Sequence, residues 1–74
     1  MSAIVESLGL VVRQLREAHG WSQEQLAEHS DLNRSYVGEV ERGRAIASIV
    51  TADKLARALG VSLSGLLAHC DQIA

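Results

Sequence analysis

Between Ser22 and Arg44 the chain carries two start signals and two stop signals for helices, set so close that each helix has room for about two turns. Ser22 and Gln25 form an S-x-x-Q capping box, in which each side chain satisfies the other's exposed backbone N–H. The turn Ser30-Asp31-Leu32 drops one apolar side chain, Leu32, inward. Asn33 is then a good N-cap for the second helix, and Gly43 supplies its C-terminal stop.

Three further helices flank this pair. The first runs from about Ile4 to Ala18, with Leu8, Val12 and Leu15 on one stripe and Val5, Val11 and Ala18 beside it. Gly20 ends it, and Gly9 inside it costs about 1 kcal/mol relative to alanine. Ser48 can cap a fourth helix whose inner stripe is Ala52, Leu55, Ala56 and Leu59, closed by Gly60. Ser62 can cap a fifth, carrying Leu63, Leu66, Leu67 and Cys70. The chain therefore reads as all-α, five helices in one domain spanning residues 1–74, with no linker, repeat or low-complexity tract.

Composition limits what such a chain can do. Its 74 residues lie near the lower limit for a self-sufficient core, so help from a second subunit is expected. The absence of Phe makes the core aliphatic, and 47% hydrophobic with 22% charged residues is the balance of a soluble globular protein. No apolar run approaches the roughly 18 residues of a membrane span, and the N-terminus lacks a secretory signal. A single cysteine cannot form an internal disulfide, which fits a reducing cytoplasm; near the flexible end, Cys70 reads as a bystander thiol. His19, His29 and His69 show no metal-ligand spacing, and the dipole at a helix C-terminus explains each. Nucleophile-elbow, phosphate-loop and H-E-x-x-H patterns are missing, so neither an enzyme nor a cofactor or metal is expected.

Charge is distributed more tellingly than its sum of −2 suggests. Residues 1–32 hold two Arg against five acids, and residues 58–74 hold only Asp71. Residues 33–57 hold Arg34, Arg42, Arg44, Lys54 and Arg57 against Glu39, Glu41 and Asp53, so the positive charge is confined to this stretch. In the third helix Val37 and Val40 point to the core, while Arg34, Ser35, Gly38 and Arg42 share the opposite face. A helix with such a face fits the B-DNA major groove, with its N-terminal side chains reaching base edges.

Within that reading, base contacts fall to Arg34, Ser35, Tyr36 and Glu39. Arg34 can donate a bidentate pair to guanine O6 and N7, and Ser35 can donate or accept. Tyr36 can offer its hydroxyl to phosphate or its ring to a thymine methyl. Glu39 can accept from cytosine N4 or merely orient Arg34 or Ser35. Phosphate contacts fall to Gln23 at the start of the second helix, and to Asn33, Arg42 and Arg44. Gln23 can instead brace Arg34 or Ser35, Asn33 is first of all a cap, and the arginines can be simple solvated charges. Gly38 either permits close approach to DNA or is a tolerated weak helix former. Lys54 and Arg57 read as solvated. Glu41, beside the inward valines, needs a partner, and Arg16 near the end of the first helix is the natural one.

Three motifs carry a family resemblance: Gly20-Trp21-Ser22-Gln23-Glu24-Gln25-Leu26-Ala27, Asn33-Arg34-Ser35-Tyr36-Val37-Gly38-Glu39-Val40-Glu41-Arg42-Gly43-Arg44 and Leu55-Ala56-Arg57-Ala58-Leu59-Gly60-Val61-Ser62. Together they resemble the phage repressor and Cro-like (XRE) helix-turn-helix DNA-binding domains over residues 8–68. The middle motif looks most like the controller proteins of restriction–modification systems. The resemblance implies a five-helix repressor-like fold and the same Arg16–Glu41 ion pair. One departure is Ile46-Ala47, where the family often has Asn-Pro before the fourth helix.

The expected partners are double-stranded DNA and a second copy of the chain. Ile46, Ile49, Val50, Leu63, Leu67 and Ile73 exceed what one small core needs and are assigned to a homodimer interface; otherwise they finish the monomer core. A two-fold dimer presents two recognition helices about 34 Å apart, one DNA turn. The expected function is transcription regulation at a short palindromic operator, as repressor or activator. Lacking an effector domain or an evident small-molecule effector, control falls to protein concentration. The alternative is an antitoxin or other protein-interaction module on the same fold, which usually needs an extra segment to cover its partner.

Overall fold

The computed structural model describes residues 3–73, with side-chain surroundings through residue 72. Five helices and no strand occur among them: α1 (Ala3–Ala18), α2 (Gln23–Ser30), α3 (Arg34–Glu41), α4 (Ile49–Ala58) and α5 (Leu63–Ile73). The caps predicted from sequence fix these limits. Ser22 and Gln25 complete the capping box, Ser48 accepts from the Thr51 N–H and Ser62 from the Gly65 N–H.

α1 packs on α3 and α5, α2 on α3 and α4, and α4 on α5. Their shared core holds Val11 and Val12 of α1, Leu26 of α2, Val37 and Val40 of α3, Leu55 and Ala56 of α4, and Leu66 and Cys70 of α5. Full burial of such a Leu or Val contributes about 1.5–3 kcal/mol, so this aliphatic set is the main attraction holding the helices together. The stripe on α1 sits slightly differently from its prediction. Val11 and Val12 are fully buried, Leu15 is partly buried and Ala18 is exposed.

Two residues have surroundings that sequence reasoning misjudged. Cys70 is fully buried in the core with Leu66 of its helix and does not sit at a loose end, while its reading as a bystander thiol is unaffected. Burial, reinforced by Asp71, pushes its thiol above the ordinary cysteine range. Gly9 is more than a cost to its helix. A Cβ there would collide with the Val40 carbonyl oxygen and lie 2.7 Å from that of Glu41, so the missing side chain lets α1 and α3 approach backbone to backbone.

Helix ends set the angles between α2, α3 and α4. After α3, the Gly43 N–H bonds the Val40 carbonyl at 3.0 Å and the Arg44 N–H bonds the Glu39 carbonyl at 2.9 Å, a Schellman closure with Gly43 at φ +72°. The end of α2 uses the same left-handed turn with Asp31, at φ 57°, in the glycine's place. That turn delivers Leu32 against the core, as predicted.

Candidate nucleic-acid interface

Two short helices that meet at one tight turn bring their N-terminal halves close together. Asn33 Oδ1 accepts from the N–H groups of Ser35 at 2.8 Å and Tyr36 at 3.4 Å, so its oxygen is committed to capping α3. Only its amide NH2 is left for a phosphate. Gln23, the first residue of α2, faces Arg34, Ser35, Gly38, Glu39 and Arg42 of α3 and its cap across a polar cleft of about 340 Å³. Arg34 and Ser35 are fully on the outside, as a groove-facing pair requires. Tyr36 is half-buried with its ring packed against the core, a structural use its assignment as a DNA contact did not include. Arg44 is exposed beyond Gly43.

Beneath the cleft lies a buried polar network. Glu41, only 3% exposed in its side chain, accepts from Arg16 Nε at 2.7 Å and Nη2 at 3.0 Å. Arg16 Nη1 also donates to the Trp21 carbonyl at 2.7 Å, tying the end of α1 to the start of α2. The hydrogen bond to Glu41 is the main reason the Arg16 guanidinium is held more firmly protonated than usual. Gln23 Nε2 donates to Glu41 Oε1 at 3.1 Å. Gln23 thus braces Glu41, not Arg34 or Ser35 as its sequence suggested. Its place at the α2 N-terminus, where free N–H groups favour an anion, is as expected.

Glu39 also has a different partner from the predicted ones. Its Oε2 lies 3.6 Å from Arg42 Nη2, beyond hydrogen-bond reach, and is shielded from solvent without a hydrogen-bond partner. Gly38 does not stand open on the outer face. It is buried, and the Arg42 guanidinium lies over it.

The polar surface extends beyond residues 33–57, with Arg13 paired to Glu17 at 3.5 Å and Arg16 to Glu41. A second polar cleft of about 270 Å³ is lined by Arg13, Arg16, Gln23, Glu41 and Arg42, and it shares Gln23 and Arg42 with the first. Arg13 escaped notice because residues 1–32 are acidic in sum, although its spacing of three from Arg16 places both on neighbouring turns of α1. Lys54 is exposed, and Arg57 pairs with Asp53 at 2.9 Å on the surface of α4.

Sequence reasoning likewise missed the surroundings of Trp21. Its indole is stacked between His19 and His29, at centroid separations of 4.3 and 4.2 Å, and His19 Nε2 bonds the Leu59 carbonyl at 2.9 Å. The dipole reading of these two histidines is therefore incomplete: they fasten α1, α2 and α4 around one ring. The described residues include no group of three His, Cys, Asp or Glu side chains placed to hold a metal, and no helix long and apolar enough to cross a membrane.

The predicted interface residues gather at an apolar groove of about 220 Å³ between the start of α1, the α3–α4 loop, α4 and α5. Ile46 and Ile49 line it while 74% and 77% exposed, together with Leu63 and Leu67; Ile4, Val5 and Leu8 form its other wall. Val50 is 67% exposed on α4 without lining the groove. The Ile73 side chain lies outside the described residues.

Comparison with known proteins fits this geometry. A helix-turn-helix family model matches residues 12–66. The chain is 45% identical over 64 residues to control protein C.SmaI of Serratia marcescens, an alignment covering 86% of this chain and 76% of that protein. The restriction-modification controller protein C.AhdI from Aeromonas hydrophila has a similar structure, with a TM-score of 0.83 and 48% identity over 88% of this chain and 98% of that one. The controller protein C.Esp1396I, solved as a tetramer in complex with its natural 35 base-pair operator, gives a TM-score of 0.89 at 25% identity, covering 97% and 95% of the two chains. All three are control or controller proteins. The chain belongs to the Cro/repressor-like (XRE) helix-turn-helix family of transcriptional regulators, and within it resembles the restriction–modification controller proteins.

Proposed function

We propose that this chain acts in the cytoplasm as a sequence-specific regulator that binds a short palindromic operator as a homodimer. The observation that carries the proposal is the polar cleft across α2 and α3, in which Arg34 and Ser35 project beside a helix N-terminus suited to phosphate. Arg34 and Ser35 contact base edges, with Tyr36 and Glu39 at the margins of the same surface. Gln23, the amide NH2 of Asn33, and Arg44 hold phosphates. Arg42, expected among those clamps, lies over Gly38 in the same cleft. The Arg16–Glu41 pair carries no contact with DNA of its own and fixes α2 against α3.

The exposed isoleucines around the α1–α4–α5 groove support the dimer, since a second copy would cover surface that is costly to leave in water. The operator complex of C.Esp1396I supports the same mode of action by likeness. Selection of bound duplexes from random DNA tests the proposal. Enrichment of a two-fold symmetric site is expected, and failure to enrich any palindrome would remove the operator reading.

A further inference from the structure

We propose that Arg42 reads a base edge and does not clamp a phosphate, and that Gly38 is the positioning residue that makes this possible. The proposal rests on the reading of α3 as the recognition helix.

Arg34, Gly38 and Arg42 are spaced by four, so they form one row along α3 and its cap. Side chains on a helix lean toward its N-terminus, and a long one at position 42 runs back over position 38. A Cβ on Gly38 would lie 3.0 Å from Arg42 Nη2, 3.2 Å from Nη1 and 3.3 Å from Gln23 Oε1. The contrast with Gly9 is informative. Gly9 faces the backbone of another helix, whereas Gly38 faces only the ends of two flexible side chains. The missing side chain at 38 therefore serves no close approach of helices. It leaves a seat for a guanidinium.

The electrostatics hold Arg42 in that seat without using up its donors. Glu39 Oε2 attracts Nη2 from 3.6 Å, too far for a hydrogen bond, and Gln23 Oε1 faces the same spot. The guanidinium fork thus enters the cleft that Arg34 and Ser35 share, with its N–H groups available. Arg44, exposed past the end of the helix and off that row, is the arginine left for a phosphate. A fork on the groove-facing row suits the O6 and N7 acceptors of guanine.

Site selection and binding titrations at several salt concentrations test this with wild type, Arg42→Ala, Gly38→Ala and the double variant. Arg42→Ala is expected to lose about 5- to 150-fold discrimination at one base pair in each half-site, a different pair from the one Arg34→Ala relaxes. Gly38→Ala is expected to melt at or above the wild-type temperature, because alanine is the better helix former, yet to lose discrimination at the same base pair. The double variant should be no worse than Arg42→Ala alone. Uniform weakening of all sequences by Arg42→Ala, with the salt slope reduced by about one, would identify a phosphate clamp and overturn the proposal. Full discrimination by Gly38→Ala would overturn the seat. A wild type that enriches no site at all would remove the recognition-helix reading, and this proposal with it.

Discussion

Removing Arg16 isolates a charge that the fold has buried. Glu41 receives three hydrogen bonds, two from Arg16 and one from Gln23, with its side chain 3% exposed. In Arg16→Ala only the Gln23 amide remains, and the Trp21 carbonyl loses its donor. Breaking a buried pair from one side costs about 3–5 kcal/mol. A chain of this length with ordinary stability has about 4–11 kcal/mol in all, so the variant should be marginal at neutral pH. The cost has a signature that simple loss of packing lacks. The penalty belongs to the carboxylate left buried without its partner, so it should largely vanish when that carboxylate is removed as well. Replacing both partners by apolar residues of similar size should cost much less than either single change. Urea unfolding followed by Trp21 fluorescence and far-ultraviolet circular dichroism measures all three. If Arg16→Ala stays within about 1 kcal/mol of wild type, or if the double apolar replacement costs as much as Arg16→Ala, the pair does not carry the cost assigned to it.

Other perturbations separate packing from surface. Gly9→Ala gains helix propensity but pushes a methyl into the α3 backbone, so it should lower stability by about 1–3 kcal/mol in thermal melts, where an open helix position would gain. Cys70 should react with a thiol reagent only through unfolding. Because burial raises its thiol pKa above the unfolded value, the stability it contributes is complete at neutral pH and is lost as pH rises through the folded value; Cys70→Ala should flatten that alkaline decline in urea titrations. Ile49→Glu changes a side chain already 77% exposed, so the fold should survive while sedimentation shifts from dimer to monomer and operator affinity drops.

Local signals made most of the fold legible. Capping boxes and glycine stops act within a few residues of chain, and Ser22, Asn33, Ser48 and Ser62 each cap the helix they were expected to cap. The inward stripes of α3 and α4 followed from periodicity alone. What escaped were relations between elements. Gly9 looks costly until α3 lies across it, and Gly38 looks idle until the Arg42 side chain is seen to fold back. The stack of Trp21 between two histidines joins the α1–α2 loop to α2, and the choice of Glu41 by Gln23 joins α2 to α3. Part of the candidate site was legible as a set of residues, since Arg34, Ser35, Glu39, Gln23 and Arg42 line one cleft while Asn33, Tyr36 and Arg44 do not. How they divide labour was not, because local spacing does not say which side chain leans on which.

In the proposed complex, two copies of α3 lie in successive major grooves on one face of a duplex. Methylation interference on a selected operator measures this directly, because a methyl on guanine N7 blocks the major groove and nothing else. Two symmetric clusters of interference centred about 10 base pairs apart are expected, with Arg34→Ala insensitive at one guanine in each. Interference confined to minor-groove adenines, or a single cluster without a symmetric mate, would contradict it.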